Sequence, residues 1–135
     1  MQKTFLILSF LLSFFIAQAQ TNPSEKEPVK SYFEAWKEKD STARLAIIKS
    51  FWTKESLYND PVAKAKGPEE LNAIIGKFQT DFPNAKLSSD TFLQTGNFIS
   101  WNWEIADSEH QLFLKGKDFV TLNNKGEITL LVGFF

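Results

Sequence analysis

The residue with the clearest chemical potential is Asp118, a carboxylate placed among apolar side chains. It shares the alternating phase of Leu112, Leu114, Val120 and Leu122, which predicts that its side chain points inward. Burial of an unpaired charge is costly, so an inward Asp118 either has hydrogen-bond partners or stays protonated. A protonated carboxyl in a cavity can act as a general acid or a neutral donor. The alternatives are a paired structural acid, or a bulge near Gly116 that turns Asp118 outward.

A second carboxylate, Asp60, lies directly before Pro61, and proline favours an extended backbone in the preceding residue. Tyr58 then points to the same side, so Asp60 could serve as a base beside an aromatic ring. A purely local aspartate–proline turn is the alternative. Tyr32 lies on the apolar face of a predicted helix, where its hydroxyl either joins a polar site or is satisfied by a neighbour in the core.

Other catalytic and metal-binding groups are scarce. His110 is the only histidine and follows a predicted turn, which favours an exposed hairpin end over a catalytic base. A metal site made from Asp107, Glu109 and His110 would be crowded onto that turn, so no metal site is predicted. The absence of cysteine excludes disulfides, thiolate metal sites and cysteine nucleophiles. There is no glycine-rich phosphate loop or nucleophile elbow, and no cofactor is predicted.

Three amphipathic helices are predicted in the first half of the domain, because apolar residues recur there at helical spacing. Asp40 offers an N-cap to the second helix, and Pro68 lies in the first turn of the third. The three apolar stripes are Val29, Tyr32, Phe33 and Trp36; Leu45, Ile48, Phe51 and Trp52; and Leu71, Ile74, Ile75, Phe78 and Phe82.

After Ala85 the apolar period changes to two, which predicts strands over 86–94, 98–106, 111–122 and 128–135. Short turns between them predict an antiparallel meander. A short strand-like segment, 57–61, precedes the third helix. The pattern is typical of an α+β domain with helices on one face of a sheet. The candidate walls of a ligand pocket are Trp36, Tyr58, Phe78, Trp101 and Trp103.

The first nineteen residues are typical of a cleavable secretory signal: Lys3, an apolar run over 5–16, and a small-x-small site ending at Ala19. A membrane anchor is the alternative, but the run has roughly a dozen apolar residues where a span needs about 20. Cleavage after Ala19 would leave a short tether, 20–28, and one domain, 29–135. The predicted location is secreted or periplasmic, without membrane association after cleavage.

Charge and aromatic content limit the partners. The chain has a formal net charge of −1, and loss of Lys3 with the signal leaves −2, with lysines scattered rather than clustered. A nucleic-acid partner requires a basic face, so none is predicted. All four tryptophans lie in the mature domain. This aromatic volume indicates wide core side chains or a wide pocket for a small hydrophobic molecule.

Several segments match a known pattern in order and spacing: 31–40, 52–61, 67–71, 116–118, 124–128 and 133–135. Together they cover essentially the whole mature chain. The pattern resembles the nuclear transport factor 2-like (NTF2-like) superfamily, and within it the SnoaL-like branch that includes polyketide cyclases and ketosteroid isomerases.

The resemblance implies a cone, also known as a cystatin-like α+β roll: a curved antiparallel sheet wrapped around three helices, enclosing a pocket and often forming a homodimer through the sheet. In ketosteroid isomerases, a tyrosine of the first helix and a protonated strand acid donate hydrogen bonds to a developing enolate oxygen. An aspartate before a proline moves the proton. Tyr32, Asp118 and Asp60 match these three positions.

Two hypotheses follow. In the first, the chain is an exported pocket protein that binds a small apolar carbonyl compound and isomerises or cyclises it by acid–base chemistry. In the second, it is a non-catalytic ligand-binding or protein-interaction domain whose outer sheet face includes Phe113, Phe119 and Thr121. The sequence leaves open whether the protein is an enzyme.

Overall fold

The computed structural model describes residues 26–135. The predicted signal, 1–19, and most of the predicted tether lie outside the described residues. Three helices and six strands follow one another along the chain: α1 (Glu27–Lys37), α2 (Ser41–Phe51), β1 (Trp52–Asn59), β2 (Lys64–Lys66), α3 (Gly67–Asp81), β3 (Lys86–Thr95), β4 (Phe98–Ala106), β5 (Leu112–Leu122) and β6 (Ile128–Phe134).

Local signals in the sequence account for the starts of the helices. Pro28 occupies the first turn of α1, which begins two residues before the predicted start at Val29. The carboxylate of Asp40 accepts the backbone N–H of Ala43 at 2.7 Å and caps α2, as predicted. Within residues 26–135, no helix is both long and apolar enough to cross a bilayer.

The sheet has the strand order β2-β1-β6-β5-β4-β3. The predicted meander of β3 to β6 is confirmed, as is the α+β fold with a curved sheet. The sheet is mixed rather than entirely antiparallel, because β1 pairs with β6 in parallel. These two strands are separated by most of the domain, so no hairpin turn sets their relative direction.

The core lies between the helices and the inner face of the sheet. Trp101 is completely buried at its centre, and its ring lies 5.7 Å from Tyr32, 5.5 Å from Phe33 and 6.1 Å from Phe92. Aromatic side chains therefore fill much of the space between α1 and β4.

A bulge changes the phase of β5. Ile105 pairs with Leu114 and Ala106 with Leu112, which leaves Phe113 as the extra residue. Its ring stacks on Phe82 at the C-terminal end of α3, with centroids 5.5 Å apart. Phe113 therefore packs on the helix side, and its predicted place on the outer face beside Phe119 is wrong.

Candidate functional site

Asp118 points inward from β5 and is 6% exposed. The indole N–H of Trp103 donates to Oδ1 at 2.9 Å, and the hydroxyl of Tyr32 donates to Oδ2 at 3.3 Å. The alternative of a bulge near Gly116 that turns Asp118 outward does not occur. The carboxyl is buried and has two donors, one from α1 and one from β4.

Burial, together with the negative charge of Asp60, raises the pKa of Asp118 from 3.8 to about 7. The hydrogen bonds from Trp103 and Tyr32 oppose this shift because they favour the ionised form. At neutral pH the carboxyl therefore exists in both protonation states, a condition that suits a group exchanging protons with a ligand.

Two glycines make this arrangement sterically feasible. Gly116 pairs with Trp103 across the β4–β5 ladder, and a Cβ atom there would overlap the Trp103 indole. Gly133 pairs with Asp118 across the β5–β6 ladder, and a Cβ atom there would lie 3.0 Å from Oδ1 of Asp118. Glycine inside a strand often marks such a close approach.

Gly133 also brings the second carboxylate into the site. The parallel register of Asn59 with Val132 places Asp60 beside Gly133. A Cβ atom on Gly133 would lie 3.3 Å from the Cβ of Asp60. The side chains of Asp60 and Asp118 therefore flank the same glycine, from opposite neighbouring strands.

Asp60 is partly exposed, and both of its oxygens have partners. Oδ2 accepts the hydroxyl of Tyr58 at 2.6 Å, while Oδ1 accepts the backbone N–H groups of Val62 at 2.8 Å and Ala63 at 2.7 Å. The local turn and the inward-pointing Tyr58 were both anticipated from the sequence. Burial, followed by the hydrogen bond to Asp60, raises the pKa of the Tyr58 phenol above its ordinary value.

Tyr32 reaches Asp118 from the buried face of α1. Burial, and then the charge of Asp118, raise the pKa of its phenol well above the usual value, so it remains a neutral donor. The rings of Trp36 and Trp101 lie 6.2 and 5.7 Å from its ring. Both indole N–H groups are buried without a hydrogen-bond partner, although the N–H of Trp101 is close enough to lower the pKa of Asp118.

The structure divides the predicted pocket residues between two places. Tyr58, Trp101 and Trp103 lie with the carboxylates, whereas Trp36 and Phe78 line a cavity of about 380 Å³ between α1, α3 and β3. A larger depression of about 680 Å³ lies over β3, β4 and β5. Asp60, Asp118 and Tyr32 line neither of these two spaces.

The sequence did not reveal the roles of Gly116, Gly133 and Arg44. The glycines had a signal, since each interrupts a strand pattern, but their partners come from other strands. Arg44 had no such signal and is buried on α2. Within residues 26–135, no cluster of three or more histidine or acidic side chains could hold a metal ion.

No protein-family model matches this chain, and no curated protein matches it. Several solved structures match it. One is a proposed isomerase of the SnoaL-like family from Agrobacterium tumefaciens, with 28% identity over 79% of this chain and 92% of that chain, and a TM-score of 0.75. Another is an NTF2-like protein of unknown function from Cytophaga hutchinsonii, with 18% identity, coverage of 80% and 86%, and a TM-score of 0.60.

A proposed polyketide cyclase from Sinorhizobium meliloti is also similar, with 12% identity over 78% of this chain and 92% of that chain, and a TM-score of 0.63. The predicted resemblance to SnoaL-like and NTF2-like proteins is thus confirmed at the level of structure. A de novo designed protein with a curved β-sheet matches equally well, with 13% identity, coverage of 82% and 86%, and a TM-score of 0.61. The fold by itself therefore does not specify a function.

Proposed function

We propose that this chain is a cofactor-independent acid–base protein of the SnoaL-like type, which binds a small apolar carbonyl compound and moves a proton within it. The observation that carries this proposal is Asp118: a buried carboxyl with a pKa of about 7, placed across Gly133 from a second carboxylate. The structural similarity to a proposed SnoaL-like isomerase and a proposed polyketide cyclase supports it.

The roles follow from the surroundings of each group. Asp60, which is partly exposed, removes a proton from the carbon next to the carbonyl. The electron pair moves to the carbonyl oxygen, and protonated Asp118 and Tyr32 donate hydrogen bonds to the enolate. In an isomerisation Asp60 returns the proton to another carbon. In a cyclisation the enolate carbon attacks a second carbonyl carbon, and Asp60 gives its proton to the alkoxide oxygen that forms. Neither cavity reaches Tyr32 or Asp118, and Trp36 and Trp101 crowd Tyr32, so the substrate is small and side chains must move to admit it.

The predicted signal peptide places this activity outside the cytoplasm, in the periplasm or the medium. Cytosolic polyketide biosynthesis is then an unsuitable role, and a scavenging or protective role is favoured. Mass spectrometry of the mature protein from a native host would test export, since cleavage after Ala19 gives a chain that begins at Gln20.

The chemistry can be tested without knowing the product. Small apolar ketones incubated with the protein in D₂O should exchange their α-protons, observed by NMR. Asp60→Asn should slow exchange by about 100-fold or more while leaving ketone affinity nearly unchanged, because the base is lost but the apolar contacts remain. Asp90→Asn, an exposed change on β3, is the matched control. Undiminished exchange in Asp60→Asn would rule out the acid–base role.

A second candidate function is a non-catalytic interaction domain. Two observations favour it: the oxygens of Asp60 are already engaged by three donors, and the outer sheet face exposes Leu93, Phe98 and Phe134. A second copy of the chain is the partner implied by the family resemblance. Sedimentation equilibrium should then show a dimer that Phe98→Glu dissociates. A monomeric wild-type protein would contradict this version.

A further inference from the structure

The cavity of about 380 Å³ between α1, α3 and β3 has an aromatic wall that continues to the protein surface. Trp36 contacts Phe78 with ring centroids 5.4 Å apart, Phe78 contacts Phe82 at 5.3 Å, and Phe82 stacks on Phe113 at 5.5 Å. Phe82 is 47% exposed and Phe113 is 45% exposed. Trp36 and Phe78 meet edge to face, with an angle of 77° between their planes, so the wall offers both ring faces and ring edges to a ligand that enters from solvent.

Three lysines, Lys37, Lys39 and Lys86, also line this cavity, and none of its lining residues is acidic. The ion pairs found across residues 26–135 involve other lysines. The nearby carboxylates are engaged elsewhere: Glu38 accepts the backbone N–H of Asp40, and Asp81 binds Lys77. The cavity therefore combines an apolar wall with a rim of three lysines that form no ion pair within residues 26–135.

A fourth cation lies behind this wall. Arg44 is 4% exposed, and its donors reach the side-chain oxygens of Asn72 at 2.6 Å and Gln79 at 2.8 Å, and the carbonyl oxygen of Glu38 at 3.0 Å. All of these acceptors are neutral. Gln79 lines the cavity and donates to the carbonyl oxygen of Trp36 at 2.9 Å, so the wall is held in place by the same network.

The C-terminal ends of α1 and α3 lie at this cavity and carry partial negative charge. Each helix end corresponds to about half an elementary charge, while the three lysines and Arg44 carry a full charge each. Every charged residue that lines the cavity is positive, so the lining itself favours an anion over a neutral ligand.

We propose that this cavity is a second ligand site, separate from the Asp60 and Asp118 site, and that it binds a planar aromatic carboxylate. The ring lies against Trp36, Phe78 and Phe82, and the carboxylate faces the three lysines. The aromatic wall gives affinity for a flat apolar body, and the lysine rim gives selectivity for an anion over a neutral compound.

The probes are 2-naphthoate and the uncharged 2-naphthylmethanol, which share a ring system, with binding measured by isothermal titration calorimetry. We expect the naphthoate to bind about tenfold more tightly than the alcohol, and this preference to shrink as salt is added. Equal affinity for the two probes would overturn the proposal.

Substitution of the three rim lysines tests whether the naphthoate binds in this cavity. Combined Lys37→Gln, Lys39→Gln and Lys86→Gln should remove the preference for the anion and leave binding of the alcohol unchanged. The matched control combines Lys115→Gln, Lys117→Gln and Lys125→Gln, which change the net charge equally on other surfaces and should keep the preference. Equal losses in the two variants would show that only overall charge matters, and would overturn the proposal.

The two sites are distinguished by Asp118→Asn. Naphthoate bound in the cavity should be insensitive to this change, whatever happens to proton exchange in ketones. If Asp118→Asn alters naphthoate affinity, the probe occupies the carboxylate site and the second-site proposal fails. If exchange is absent but naphthoate binds as described, the acid–base proposal fails and the second site stands.

Discussion

Asp118 and Arg44 are both buried ionisable residues, but the protein accommodates them in different ways. Arg44 is surrounded by neutral acceptors, two from side chains of α3 and others from carbonyls of the loop before α2. Asp118 has two donors, and burial raises its pKa to about 7. A guanidinium cannot lose its proton, so its burial requires hydrogen-bond acceptors, whereas a carboxyl can become neutral. The comparison marks Arg44 as structural and Asp118 as a candidate for proton transfer.

The largest expected effect is on the pH dependence of stability, measured by urea unfolding of wild type and Asp118→Asn. Because the folded-state pKa of Asp118 is raised from 3.8 to about 7, the native state keeps a proton that the unfolded chain loses in this range. The free energy of unfolding of the wild type should therefore fall, relative to the variant, as pH rises from about 4 to 8, by about 4 kcal/mol. Parallel pH profiles for the two proteins would show that Asp118 ionises normally.

Arg44→Met tests the other half of the comparison. It leaves Asn72, Gln79 and the loop carbonyls without their donor, so we expect a loss of about 3 kcal/mol of unfolding free energy at every pH. Lys30→Met, an exposed change on α1, is the control and should have little effect. A loss below about 1 kcal/mol would mean that Arg44 does not organise the loop between α1 and α2.

Gly116→Ala should disturb the Asp118 site through packing. The added methyl group overlaps the carbonyl oxygen of Phe134 and the Trp103 indole, so β5 must shift, and we expect a cost of about 2 kcal/mol or more together with loss of the Trp103 to Asp118 hydrogen bond. The indole N–H resonance of Trp103 in NMR spectra reports that bond directly. Lys117→Ala, at the neighbouring exposed position, is the control. An unshifted resonance in Gly116→Ala would show that the methyl group does not displace the Trp103 indole.

Trp103→Phe should have the smallest effect on stability, about 1 kcal/mol, because one hydrogen bond is lost while most of the aromatic volume is kept. The pKa of Asp118 should rise further, since the Trp103 N–H favours the ionised carboxylate. NMR titration of the labelled carboxyl carbon measures this. A lower pKa in Trp103→Phe would show that the N–H does not stabilise the charge.

Much of the architecture could be predicted from local pattern. The helical stripes, the Asp40 cap and the alternation after Ala85 each depend on residues close in sequence, and the structure agrees with most of them. Three residues differ from the prediction: Trp52 begins β1 instead of ending the second helix, Phe82 follows α3 and is 47% exposed, and Leu112 is 52% exposed beside the bulge in β5. The alternating pattern predicted the wrong face of the sheet for Phe113, because the extra residue of the bulge turns its side chain to the opposite face. It also gave no indication that Arg44 is buried, because its acceptors lie on α3 and in the preceding loop.

The sequence by itself placed Asp118 on the inward phase of a strand and offered a local turn at Asp60 and Pro61 as one of two interpretations, because alternation and proline geometry are local. Only the tertiary structure decided that the two carboxylates flank Gly133. That arrangement requires β1 to pair in parallel with β6, a contact between segments more than seventy residues apart that no local propensity encodes. The raised pKa of Asp118 depends on its burial and on the nearby charge of Asp60, which this long-range pairing brings close.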